Sequence, residues 1–333
     1  MKKILAILLA VCMIAALAAC GAPKTAEYKL GMGISLNTNS SKTGNAQVDA
    51  TVAAVVLDAA GKIVAVKLDV AQCKMDVTDG QVDPAAAFKT KVELGDDYNM
   101  VKFSDATHEW YEQAAAFEQY VIGKTAAEVS GMETVVNESG HTVTTDETLY
   151  ASCSISIGDF IEAVTKACND EQGQTFQSDG SFKLGLAANT KADESKAATA
   201  DEEGVVKMYS EFGAVVLGAD GKIAAALTDA TQPQIKINAA GEITDSVFKG
   251  TKRELKEAYN MVAYSNATLE WYQQAKNFVD FAAGKTPDEL KAVETKINDE
   301  GHQVFVDEAL YASCSISVDG MIAVLVKAAG NAA

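Results

Sequence analysis

Residues 146–156 read Asp-Glu-Thr-Leu-Tyr-Ala-Ser-Cys-Ser-Ile-Ser, and residues 307–317 read Asp-Glu-Ala-Leu-Tyr-Ala-Ser-Cys-Ser-Ile-Ser. Each run sets a carboxylate (Asp146, Asp307) six residues ahead of a hydroxyl (Ser152, Ser313) that follows an alanine (Ala151, Ala312). A second hydroxyl stands two residues on, at Ser154 and Ser315. Hydroxyls offer an oxygen for ester formation or hydrogen bonding, and Tyr150 and Tyr311 beside them are candidates to stack on a planar ligand. Read for structure alone, Ser152, Ser154 and Ser156 alternate with Cys153, Ile155 and Ile157, which suggests a strand with hydroxyls on one face. Other reactive side chains point less to chemistry. His141 and His302 lie in Gly-His turn sequences, and His108 is the third and last histidine, so a histidine metal centre or a nucleophilic triad lacks its parts. Cys73, Cys153, Cys168 and Cys314 form no Cys-x-x-Cys pair and read as small apolar residues. Gly31-Met32-Gly33 lacks the third glycine of a dinucleotide fingerprint.

The elements that must hold these residues are written twice. EWYEQAAAFEQYVIGKT returns as EWYQQAKNFVDFAAGKT, and Tyr98 and Tyr150 lie 161 positions before Tyr259 and Tyr311. The repeat length suits a domain rather than a solenoid unit. It gives copies at 27–169 and 181–330, joined by a polar linker at 170–180; a second polar run, 188–204, reads as a surface loop. In the first copy, β-branched runs at 50–57 and 62–70 flank Asp58-Ala59-Ala60-Gly61 and predict a hairpin. Trp110, Ala114, Phe117 and Val121 share one helical face, which makes Trp110, and with it Trp271, core residues. Thr125 and Thr286 read as N-caps, and a last helix begins near Asp159 or Asp319. The expected fold is α+β: two tandem homologous domains, each a largely antiparallel sheet with packed helices.

The N-terminus reads as an address. Lys2 and Lys3 precede an apolar stretch at 4–17, too short for a lasting membrane span. Leu17-Ala18-Ala19-Cys20 then resembles a bacterial lipobox. The resemblance implies a signal peptide at 1–19, lipid on Cys20 and a tether at 20–26, with the body on the extracytoplasmic face of the cell membrane. With 46 acidic and 28 basic side chains the net charge is −18, and nucleic acid is excluded as a partner.

The repeated Asp-x5-Ser run, with Ala before the Ser and a further hydroxyl at Ser154 or Ser315, resembles the motif of covalent FMN-binding domains. The Gly-Lys-Thr helix preceded by Trp-Tyr-x-Gln is similar to tandem flavin-bearing lipoproteins of extracellular electron transfer. That resemblance implies up to two FMN groups in phosphoester linkage to Ser152 and Ser313, made by a flavin transferase. It also implies a quinol-oxidising membrane donor, soluble or protein acceptors, and a carrier rather than a self-contained enzyme. The family's Ser/Thr-Gly pair is replaced by Leu149-Tyr150 and Leu310-Tyr311, which leaves Ser154 and Ser315 as alternative attachment points. It also leaves open a different class: a ligand-binding or structural surface lipoprotein without flavin.

Overall fold

The structure, a computed structural model, describes residues 25–333, so the expected signal peptide and Cys20 lie outside the described residues. In the first half, β1 (Ala26–Asn37), β2 (Asn45–Leu57) and β3 (Ile63–Asp76) form an antiparallel meander. Short helices follow, α1 (Lys91–Leu94) and α2 (Met100–Phe103), then α3 (Trp110–Val121) and α4 (Ala126–Ser130). A small hairpin of β4 (Thr134–Val136) and β5 (Thr142–Thr144) leads through α5 (Glu147–Tyr150) to α6 (Gly158–Cys168). The segment expected to be a linker contains a strand, β6 (Gln174–Ser178), which pairs with β1 and completes the sheet order β3-β2-β1-β6.

The second half is arranged in roughly the same way. β7 (Phe182–Lys191), β9 (Tyr209–Gly218) and β10 (Ile223–Thr231) form its meander. A second small sheet is formed by β8 (Gly204–Lys207), β11 (Gln234–Ile237) and β12 (Ile243–Val247). Then come α7 (Lys252–Leu255), α8 (Met261–Tyr264), α9 (Trp271–Ala282), α10 (Pro287–Lys291), the hairpin β13 (Thr295–Ile297) and β14 (Gln303–Phe305), α11 (Glu308–Ser313) and α12 (Asp319–Gly330). The fold is therefore α+β, with antiparallel sheets and packed helices. Residues 188–204 are not simply a surface loop: the run begins in β7 and buries Ala192, Ser195 and Ala198.

Three apolar layers explain the sequence pattern. The meanders face each other across one core that takes Val52, Ala54 and Val56 from β2 and Ala214 and Val216 from β9. Their opposite faces meet helices: Val55 joins Trp110, Phe117 and Phe160, and Val215 joins Trp271, Phe278 and Val324. A strand buried on both faces cannot alternate polar with apolar, so β2 reads as an uninterrupted apolar run. Trp110 and Trp271 lie in these helix-facing cores, as their spacing requires. All four described cysteines are buried and free. Burial pushes the Cys153 and Cys314 thiols up to about 12, which leaves them unreactive.

The Gly31-Met32-Gly33 run serves packing. A side-chain carbon on Gly31 would overlap the carbonyl oxygen of Ala167, and one on Gly185 would overlap that of Ala328. The C-terminal turns of α6 and α12 thus rest directly on strand backbone.

Candidate functional site

The site is built on α7, a helix of four residues that could not stand alone. Thr251 caps it by accepting from the Glu254 N–H, while the Glu254 carboxylate accepts from the Thr251 N–H. Asp229 on β10 accepts from the Arg253 N–H at 3.0 Å and so ties the first turn to the sheet. This anchoring holds Lys252 inside the protein, only 7% exposed. Its Nζ lies 4.8 Å from the centre of the Tyr209 ring, 5.0 Å from Tyr259 and 5.2 Å from Trp271. Its only hydrogen-bond partner among the described residues is the Tyr209 hydroxyl, at 3.4 Å. No carboxylate there comes within ion-pair distance. Burial pushes the Lys252 amine down to about 8, against the pull of Glu211, Asp229 and Glu194. Burial also raises the Glu211 carboxyl and the Tyr209 phenol above their usual ranges.

Lys252, Tyr209, Tyr259 and Trp271 line a cleft of about 500 Å³ together with Asp319 and Gly320. Met261, His302 and Ile316 also border an adjoining hollow of about 280 Å³ that reaches Tyr311 and Ser315. The first half repeats the lysine arrangement. Thr90 and Glu93 cap α1, Asp69 accepts from the Val92 N–H, and Lys91 Nζ lies 4.9 Å from the Tyr98 ring and 5.2 Å from Trp110. Burial lowers the Lys91 amine to about 8 as well.

The serine runs are not strands. Asp146 caps α5, accepting from the Thr148 and Leu149 N–H groups and from the Tyr120 hydroxyl, and Asp307 accepts from the Leu310 N–H. These bonds hold the Asp146 carboxyl below its usual range, the Leu149 N–H contributing most. Ser152 Oγ donates to the Leu149 carbonyl at 3.2 Å, and Ser313 Oγ to the Leu310 carbonyl at 2.8 Å. Both hydroxyls therefore sit at helix C-terminal ends, among carbonyl oxygens. Ser154 and Ser315 face Gln113 and Gln274, whose side-chain oxygens accept from their N–H and O–H groups. Ala151 and Ala312 are exposed, as are Tyr150 and Tyr311. His141 and His302 occupy turns in which Asn137 and Asn298 accept from their N–H groups. Of the residues named from sequence, Tyr311, Ser315, His302, Trp271, Tyr259 and Asp319 border the clefts of the second half, whereas Ser313, Asp307 and Ala312 do not. The paired lysines and glutamines were missed. Their signal was repetition, Thr-Lys-x-Glu-Leu and Glu-Trp-Tyr-x-Gln in both copies, with no motif attached.

No protein-family profile matches the chain, and no solved structure matches it. A curated relative from Desulfitobacterium hafniense, named chlorophenol reductase, is 33% identical over 125 residues. The match takes in 32% of this chain and spans 38% of the relative's length.

This finding corrects the expected flavin family, because the relative is named as a reductase and not as a flavin-bearing carrier lipoprotein. Covalent FMN on Ser152 and Ser313 goes with that family, as do the flavin transferase, the quinol-oxidising donor and the acceptors inferred from it. So does the reading of a carrier rather than an enzyme. The geometry supplies a physical reason at the serines. A phosphate on either hydroxyl would meet the negative end of a short helix rather than its N–H groups. Nor does Leu149-Tyr150 or Leu310-Tyr311 adopt the positive φ that a glycine allows there.

Proposed function

We propose that this chain is a ligand-binding protein held at the extracytoplasmic face of a membrane, and that the cleft beside Lys252 takes a small aromatic compound bearing an ionised oxygen, of the chlorophenolate class. The observation that carries this reading is the amine of Lys252, buried beneath Tyr209, Tyr259 and Trp271 without a carboxylate partner. A buried cation whose nearest carboxylates stand beyond ion-pair distance is costly, and a phenolate oxygen would supply a direct partner while its ring lay against the aromatic side chains. The relative's name, chlorophenol reductase, supports this ligand class. The ligand-binding reading itself requires no chemical step. Domain copies at 27–169 and 181–330 and a lipid on Cys20 belong to the same proposal, supported by the internal repeat and by Leu17-Ala18-Ala19-Cys20. No described helix is long and apolar enough to cross a membrane.

Titration calorimetry with a chlorophenolate tests it. Wild type is expected to bind, and Lys252→Met to bind about 10- to 100-fold more weakly, the range of a charge-assisted hydrogen bond. Binding should weaken as pH rises through about 8, where the folded-state amine loses its proton; burial sets that midpoint first, with Glu211, Asp229 and Glu194 opposing it and Lys191 adding to it, beside the Tyr209 hydroxyl. Equal affinity in wild type and Lys252→Met would refute the assignment.

A further inference from the structure

We infer that Lys252 is also a nucleophile, forming an imine with an aromatic aldehyde or ketone that enters the cleft. The inference uses the same cleft as the ligand-binding reading but a different chemistry of the amine. Its basis is geometric. Lys252 is held by a capped helix, fronts an open cleft of about 500 Å³, and is not tied up by any carboxylate among the described residues. Amines in this setting are deprotonated far more readily than surface lysines, and the uncharged amine is the form that attacks carbonyls.

The residues around it supply the proton transfers. Tyr209 Oη stands 3.4 Å from Nζ, and Glu211 lies two residues on along β9, on the same face, lining the same cleft. Burial raises both above their usual ranges, so each can give a proton and take it back. In the first step the Nζ lone pair forms the C–N bond, and the carbonyl oxygen takes up a proton through Tyr209 as Nζ releases one. In the second step Glu211 protonates the hydroxyl of the carbinolamine, water leaves, the C=N bond forms, and the remaining Nζ proton returns to Glu211. Amine and carbonyl give imine and water, with no change of oxidation state.

Reductive trapping decides the matter. The full chain is incubated with benzaldehyde and cyanoborohydride at neutral pH, and benzylated lysines are located by peptide mass. The peptide holding Lys252 should gain the benzyl group on the order of 100-fold faster than a short free lysine peptide added as an internal standard, because an amine at about 8 is far more often uncharged than a free lysine side chain at about 10.4. Lys252→Arg keeps the cation and should abolish this fast labelling; Glu211→Gln should slow it. Labelling spread over lysines according to their exposure would overturn the inference, and that result needs no variant to fold. Chlorophenolate binding that persists while trapping fails would remove imine formation alone. Trapping that succeeds without chlorophenolate binding would remove the ligand assignment alone.

Discussion

At the scale of single residues, Asp69 and Asp229 carry a consequence for stability. Each is a buried carboxyl, 5% exposed, that accepts from the backbone N–H of the short helix holding a site lysine. Burial raises both to about 6 from an ordinary 3.8, more than the surrounding donors lower them. The folded protein therefore holds these protons more tightly than the unfolded chain. Their contribution to stability is fully present below about 3.8 and is lost as pH rises through about 6. A rise of that size is worth about 3 kcal/mol for each group. Urea unfolding should give a higher stability at pH 5 than at pH 7, and Asp229→Asn, which keeps the acceptor oxygen but cannot ionise, should remove its share of that slope; Asp69 and the buried Glu118 carboxyl, which burial raises to about 7, supply the remainder in the same sense. A slope unchanged by the substitution would place the titrating group elsewhere. Neither aspartate stood out in the sequence, where each sits beside an apolar neighbour within a strand. A buried acid of this kind leaves no periodic trace; its contact with the Thr-Lys-x-Glu helix, 23 or 24 residues further along the chain, is visible only in the fold.

At the scale of elements, the sequence was most legible where an element is long. The hairpin of β2 and β3, the apolar face of α3 and the final helices α6 and α12 all follow from spacing. The serine runs misled because α5 has only four residues. So short a helix has no period of its own, while the alternating Ser and Cys imitate a strand. Its true signal was Asp146 followed by Glu147, an acidic N-cap and first turn. Close contact between elements leaves a different mark, a small residue where a larger one is expected. Gly185 on β7 admits the last turn of α12, whose Lys327 also reaches the Ala188 carbonyl at 2.7 Å. Gly185→Ala drives a methyl group into the Ala328 carbonyl, so α12 must shift away from the sheet. The expected cost is about 1–3 kcal/mol, as for overpacking. Because α12 also carries Asp319 and Gly320 at the cleft, chlorophenolate affinity should fall together with the melting temperature. A variant as stable as wild type would mean that the helix accommodates the methyl group without moving.

At the scale of the whole molecule, each half braces the helix that carries the other's lysine. Lys327 on α12 pairs at 2.7 Å with Glu93, the capping carboxylate of α1, and Lys166 on α6 pairs at 3.1 Å with Glu254, the capping carboxylate of α7. These half-exposed pairs are each worth about 1 kcal/mol or less. A third contact has no partner in the repeat. Arg253 on α7 donates from Nη2 to both oxygens of Asp170, just beyond α6, with the two side chains 7% and 8% exposed. The position matching Arg253 in the first half is Val92, so only the Lys252 site is clamped by a buried ion pair. Asp170 also accepts from the N–H groups of Met32 and Gln172, so an uncharged amide there would still have donors to satisfy its oxygen. Removing one charge of a buried pair strands the other, which costs about 3–5 kcal/mol, whereas removing both spares the second desolvation. Arg253→Met alone should therefore be strongly destabilising. Adding Asp170→Asn should recover a large part of the loss rather than deepen it, as read by denaturant midpoints across the double-mutant cycle. If the two losses simply add, the guanidinium and carboxylate act independently, and the Arg253–Asp170 contact contributes nothing as a pair beside the shared core of Val52, Val56, Ala214 and Val216 and the two half-exposed ion pairs.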